Sequence, residues 1–312
     1  MTGRIPLLID TDPGVDDALA LLLALHDRDH DVVGLTIAAG NVGLRHTVAN
    51  ALKLCEVAGR GDIPVYAGSA APLLHAAPDA AYVHGDDGFG DVGYAPAARA
   101  AETEHAALAI LRLSHAHAGR LVLVALGPLT NIALALKLDP TLPERIARFV
   151  VMGGAVTAHG NITPAAEFNV YFDPEAAKIV FDAFPRFDLA DWEATVAHGL
   201  PHDAVVAWMQ AGGTRATFYE AISRKTRDWS ADRRGDDWHS ADALAMAWVL
   251  APDGALETAE RPVDVVLAPG PARGVTLVDW QRQLGLPDRA RILLRYDRPR
   301  FEAMIRAALQ AA

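Results

Sequence analysis

The chain has a single cysteine, Cys55, among its 312 residues. One thiol excludes an internal disulfide and any thiolate zinc cluster built within one chain. Its setting, Ala51-Leu52-Lys53-Leu54-Cys55-Glu56-Val57, is a helical pattern, so Cys55 reads as a plain buried thiol rather than a nucleophile. Positive charge is also scarce, with 28 Lys and Arg against 39 Asp and Glu and a formal net charge of -11. That balance gives no attraction to nucleic-acid phosphates or anionic lipid, and a small neutral or weakly charged substrate fits better. No apolar run reaches the roughly 20 residues that span a bilayer, and the N-terminus lacks a basic stretch followed by an apolar one and a cleavage site. The expectation is a soluble, cytoplasmic protein with neither nucleic acid nor membrane as partner.

About half of the residues are apolar (51%), enough for a substantial core. Apolar runs with strand character recur at Leu7 to Ile9, Val32 to Ala38, Leu121 to Ala125, Phe149 to Met152, Val263 to Leu267 and Ile292 to Tyr296. Between the early runs lie helical patterns at Val48 to Ala58, His105 to Ala116 and Leu129 to Leu138. This alternation predicts one α/β domain over residues 1–312, with a mostly parallel central sheet flanked by helices on both faces. Ligands of such sheets bind at the carboxyl ends of the strands, where the motifs described next all begin. Two segments, 70–101 and 212–238, read as excursions from the sheet and as active-site loops. The triplet His105, His115 and His117 reads as a solvated helix face rather than a metal site.

Four carboxylates stand in Asp10-Thr11-Asp12-Pro13-Gly14-Val15-Asp16-Asp17, directly after an apolar strand. Pro13 and Gly14 let the chain turn from that strand into a helix near Val15. Asp16 and Asp17 then fall in the first helical turn, where the macrodipole favours anions. Dipole stabilisation explains that pair but not Asp10 and Asp12. So many negative charges at a strand end repel one another unless a cation sits among them, and all-oxygen ligands favour Ca²⁺ or Mg²⁺ over zinc.

The acidic turn resembles the N-terminal signature of the inosine-uridine preferring nucleoside hydrolase family. Gly40-Asn41-Val42, Ile63 to Gly68, His84-Gly85-Asp86-Asp87-Gly88, Gly127-Pro128-Leu129-Thr130-Asn131, Val151-Met152-Gly153-Gly154 and Ala166-Glu167-Phe168-Asn169 followed by Asp173-Pro174-Glu175 are similar to that family, in its order. The resemblance implies a nucleoside hydrolase-like, open Rossmann-like sheet. It implies hydrolysis of the N-glycosidic bond of ribonucleosides to free base and ribose, dependent on Ca²⁺, with Asp12 activating a metal-bound water. The implied metal ligands are Asp12, Asp17, the carbonyl of Thr130 and Asp242. The implied substrate contacts are Asp16, Asn41, Asn161, Glu167 and Asn169 on the ribose, with Met152 and Phe168 in the same pocket and His84 on a mobile loop facing the base. Asp10 would support the metal from behind. A homodimer or homotetramer is implied as well.

One position departs from the pattern. In Asp237-Trp238-His239-Ser240-Ala241-Asp242, one branch of the family has a histidine immediately before the aspartate, to protonate the leaving base; here that residue is Ala241. His239 is the nearest candidate acid, and Trp238, Trp229, Phe89 and Tyr219 are candidates to stack on the base. Two other readings stand beside the hydrolase. A nucleoside or ribose sensor would have kept the sugar site and lost the proton donor. A haloacid dehalogenase-like phosphatase would use Asp10-Thr11-Asp12 on phosphorus, but Lys137, Lys178 and Lys225 are poorly placed for its required lysine.

Overall fold

Strand β1 (Ile5–Thr11) shows why the centre of this protein is a parallel sheet. Leu7 and Ile9 pack into one hydrophobic core and Leu8 into another on the opposite face, all three fully buried. A strand covered on both faces reads as a continuous apolar run, and β4 (Leu121–Ala125) and β5 (Ile146–Met152) behave in the same way. The computed structural model describes residues 3–76, 78–235 and 237–311.

Along the chain, β1 leads to helix α1 (Val15–His26), β2 (His30–Ile37), α2 (Leu44–Val57) and β3 (Val65–Ala67). A short helix α3 (Ala81–His84) interrupts the long segment before α4 (Ala106–Ala116) and β4. Helices α5 (Thr130–Leu138) and α6 (Leu142–Arg145) precede β5, and α7 (Phe168–Phe172) and α8 (Pro174–Ala183) precede β6 (Phe187–Ala190). Then come α9 (Trp192–Ala197), β7 (Leu200–Pro201), α10 (His202–Gln210), α11 (Thr214–Arg234), β8 (Asp237–Trp238) and α12 (Ala241–Leu250). The chain closes with β9 (Ala255–Arg261), β10 (Val263–Val265), β11 (Thr276–Val278), β12 (Ala290–Tyr296) and α13 (Arg298–Gln310).

Eight strands form the main sheet in the order β3-β2-β1-β4-β5-β6-β12-β9, with only β9 antiparallel to its neighbour. Helices α1 and α12 pack together on one face and α4, α5 and α8 on the other. The chain runs outward from β1 to β2 and β3 on one side and to β4, β5 and β6 on the other. The order reverses between β1 and β4, and a crevice opens there at the strands' carboxyl ends. Among the described residues no helix is long and apolar enough to cross a membrane.

Two expectations need correction. Segment 212–238 is not a loop: it is mostly the 21-residue helix α11. Its inward side carries Tyr219, Ile222, Ser223, Thr226 and Ser230, helically spaced but largely polar, which hides the period. The run from Val263 to Leu267 does form a strand, but it pairs with β11 in a separate two-stranded ribbon. Ala77 and Asp236, inside the two predicted loop segments, lie outside the described residues, as do the terminal residues 1, 2 and 312. Cys55 is buried in the core as expected. His105 caps α4, accepting the Ala107 N–H at 3.1 Å, while His115 is exposed 3.6 Å from Asp139.

Candidate active site

β1 presents Asp10 and Thr11 at its carboxyl end, and Pro13-Gly14 turns the chain into α1. Asp17 closes the first turn of that helix by accepting the Gly14 N–H at 3.0 Å. The same carboxylate accepts the Thr11 hydroxyl, the Asp12 N–H at 3.3 Å and the Asn41 amide at 2.9 Å. Capping is therefore one role of Asp17, but it leaves the neighbouring carboxylates unexplained. Asp10, Asp12, Asp17 and Asp242 are all buried.

Asp12 is held by shape as much as by bonds. Its Oδ2 accepts the Asn41 N–H at 2.6 Å, and its Oδ1 is buried with no hydrogen-bond partner. A Cβ added at Gly40 would lie 2.0 Å from Oδ2, and one at Gly127 would lie 2.2 Å from Oδ1. Only glycine at both positions lets the carboxylate sit between them. Behind it, Asp10 Oδ2 accepts Thr36 Oγ1 at 2.7 Å and Asn131 Nδ2 at 3.0 Å, which brings the start of α5 against the acidic turn. Thr130, the first residue of α5, donates its hydroxyl to Asp173 at 2.7 Å, and that fixes the main chain whose carbonyl is the expected ligand.

Burial pushes Asp10 and Asp17 up to about 7. Asp12 and Asp242 are also raised, by burial first and then by repulsion from neighbouring carboxylates. Oxygens of Asp16, Asp17 and Asp242 lie within 4.8 Å of one another. Asp10 Oδ1, Asp12 Oδ1 and Asp16 Oδ1 are buried without hydrogen-bond partners. Unpartnered anionic oxygens at this density fit a hard cation, which would reverse the upward shifts. The geometric cluster contains Asp16 in the place where Asp12 was expected.

Asp16 and Asp242 also border a cavity at the sheet's carboxyl end, with Asn41, His84, Met152, Asn161, Glu167, Phe168, Asn169, Trp238 and His239. These are all the predicted substrate contacts together with the predicted acid. Asp12, Asp17 and Thr130 are buried and are not among the residues that line it. Glu167 caps α7: Oε1 accepts the Asn169 N–H at 2.8 Å, and Oε2 accepts Gly154 N–H at 2.8 Å and Val170 N–H at 3.1 Å. Burial outweighs these three bonds and raises Glu167 to about 7. Asn169 donates to the Leu126 carbonyl at 2.7 Å and to Met152 Sδ at 3.2 Å, and Asn161 Oδ1 accepts the Phe168 N–H at 2.8 Å. Each amide is thus oriented by a backbone bond before any ligand arrives.

Two imidazoles reach the cavity. His84 Nδ1 accepts the Val15 N–H at 3.1 Å, so the neutral ring carries its proton on Nε2. His239 lies between β8 and α12, its ring centroid 6.3 Å from that of Trp192. Trp229 and Trp238 both line the cavity, and Trp229 meets Tyr82 edge-on at 6.0 Å. Phe89 and Tyr219 do not; both are fully buried, and Phe89 packs on Tyr94 and Phe218. Sequence reasoning missed Trp192, Tyr82 and Leu126, which also line the cavity. Leu126 directly follows β4 and Trp192 lies two residues beyond β6, so recognising β6 would have drawn attention to the second.

The chain matches the inosine-uridine preferring nucleoside hydrolase family over residues 7–303. It is 36% identical over 275 residues to uridine nucleosidase 1 of Arabidopsis thaliana, covering 88% of this chain and 81% of that protein. It is 33% identical over 302 residues to the pyrimidine-specific ribonucleoside hydrolase RihB of Escherichia coli O157:H7, covering 96% and 95%. Among solved structures, a plant nucleoside hydrolase, PpNRh1, superposes with a TM-score of 0.93 at 30% identity over 99% of this chain and 100% of that one. An inosine-guanosine nucleoside hydrolase gives 0.91 at 30% identity, over 99% and 100%.

Proposed function

The chain belongs to the inosine-uridine preferring nucleoside hydrolase family, enzymes acting on ribonucleosides, and we propose that it hydrolyses their N-glycosidic bond with a bound Ca²⁺ and Asp12 as base. One observation carries this reading: buried carboxylates with unpartnered oxygens sit at the sheet's switch point, directly beneath a cavity lined by oriented amides. The cation is read as held by Asp12, Asp17, Asp242 and the carbonyl of Thr130. When bound, it makes a neighbouring water more acidic. Asp12 accepts the proton through Oδ1, which no hydrogen bond occupies.

Asp16 belongs to the same 4.8 Å group, and this reading assigns it to the ribose hydroxyls because it borders the cavity. Asn41, Asn161, Glu167 and Asn169 complete the ribose site, with Met152 and Phe168 as its wall. The transition state resembles an oxocarbenium ion, so the anionic floor stabilises the charge that develops on the sugar. At the other end, Trp229 and Trp238 stack on the base, His84 donates from Nε2, and His239 protonates the leaving base in place of a histidine at Ala241. A phosphatase reading gains no support, because among the described residues no lysine or arginine borders the cavity. Segments 70–101 and 212–238 act as its cover, within one domain spanning the chain. Assembly as a homodimer or homotetramer and a cytoplasmic location complete the reading.

The test is Asp12→Ala, assayed for ribose release from inosine and uridine. A loss of three or more orders of magnitude in kcat is expected, and activity within a few-fold of wild type would remove Asp12 from the mechanism.

A further inference from the structure

Asn50, on α2, is fully buried and belongs to none of the motifs that mark the site. Its amide nitrogen donates to two main-chain carbonyls, Pro13 at 2.8 Å and Asp87 at 2.9 Å, and its amide oxygen accepts the hydroxyl of Tyr94. Both carbonyls can be served only by the NH₂ end, so the amide has one permitted orientation. Pro13 lies in the acidic turn, one residue after Asp12. Asp87 lies in the loop that presents His84, and that loop is closed on itself by Gly88 N–H to the Gly85 carbonyl at 3.0 Å and Gly90 N–H to the His84 carbonyl at 2.7 Å. Holding Asp87 therefore locates His84.

A second link joins the same two segments, the Val15 N–H to His84 Nδ1 bond. The two links grip the acidic turn on either side of Gly14. The contact with Asn50 is close: Gly88 has a φ of +80°, and a Cβ there would lie 2.8 Å from Asn50 Nδ2 and 2.9 Å from Val42 Cγ2.

We infer that Asn50 is a positioning residue that fixes the His84 loop to the acidic turn, so that the base-facing imidazole and the water-activating carboxylate keep one geometry. The inference rests on the reading of His84 as a substrate contact. Asn50 touches neither substrate nor reacting atoms and acts only through the loop and the turn. Without its two donated bonds the Val15 N–H to His84 Nδ1 bond still joins loop and turn and Thr226 Oγ1 still holds the Val83 carbonyl at 2.9 Å, but Asp87 is released from the turn and His84 is less precisely placed against the base.

The experiment is a double-mutant cycle on the holoenzyme, with kcat/KM for inosine and uridine and a thermal melt for each variant. Asn50→Ala is expected to cost roughly 10- to 100-fold in the wild-type background and less than about threefold in the His84→Ala background. An equal cost in both backgrounds, or a cost below threefold in wild type, overturns the inference, since a general loss of structure would lower both alike. His84→Ala alone within threefold of wild type overturns the underlying reading of His84 instead. If Asn50→Ala does not fold, Gly88→Ala displaces the loop from an intact Asn50 and is expected to show the same dependence on His84. An equal cost of Gly88→Ala with and without His84 overturns the inference in turn.

Discussion

Gly127→Ala isolates the role of Asp12 without altering any carboxylate. Gly127 lies outside the left-handed region that favours glycine, and the three atoms nearest an added Cβ all belong to Asp12. Its Cβ would lie 2.2 Å from Asp12 Oδ1, 2.8 Å from Cγ and 3.2 Å from Cβ. Ordinary contact begins at 3.4 Å, so the carboxylate must move by about 1 Å or more. A displacement of that size in a reacting group costs about 100-fold, or about 2.7 kcal/mol in activation free energy. The assay is ribose release under saturating and limiting nucleoside, which separates kcat from KM. The fall is expected mainly in kcat, because Asp12 acts on water and the ribose contacts stay in place. Gly61→Ala serves as the control, since a Cβ there meets nothing within 4 Å. Activity of Gly127→Ala within threefold of that control would refute the placement of Asp12 at the reacting water.

His239→Ala should lower kcat on inosine by two or more orders of magnitude while sparing a nucleoside whose base leaves readily without protonation, so that the rate depends more steeply on leaving-group pKa. Little loss on inosine would leave proton delivery to His84 or solvent. Glu167 supplies a pH test on the metal-free protein. Its native pKa is raised from 4.5 to about 7, so the folded state binds a proton that the unfolded chain releases. The stability this contributes is full below about pH 4.5 and is lost as pH rises through 7. Glu167→Gln lacks that titration, so its stability relative to wild type should improve by on the order of 3 kcal/mol between pH 4 and 8 in urea melts. A pH-independent difference would contradict the burial argument.

The centre of the sheet was legible because β1, β4 and β5 are buried on both faces and carry little but apolar residues. β6 was not, because Asp188 interrupts Phe187-Asp188-Leu189-Ala190. The structure satisfies that carboxylate with Arg148 at 2.7 Å and Arg291 at 2.6 Å, partners far away in the chain. Edge strand β9 contains Glu257, Glu260 and Arg261 and is largely exposed, so it has no apolar signal to read. At the site, the acidic turn announced itself through unbalanced charge, and several residues that end or follow strands, Asn41, Leu126 and Met152 among them, border one cavity. The direction of His239 was hidden. It depends on the pairing of Leu200 with Trp238 across β7 and β8, a contact between segments 38 residues apart, and that pairing precedes the turn into α12. Asn50 was hidden for a similar reason: a buried asparagine on a helix gives no hint that its amide nitrogen serves two carbonyls on other segments.

The most direct test is ribose release by enzyme stripped with a chelator, assayed on inosine and uridine before and after Ca²⁺ is restored. The account predicts release that disappears on stripping and returns with Ca²⁺, together with a rise in thermal stability as the carboxylates regain a counter-charge. Full release by the stripped enzyme would contradict it, because the buried carboxylates would then be working without a cation.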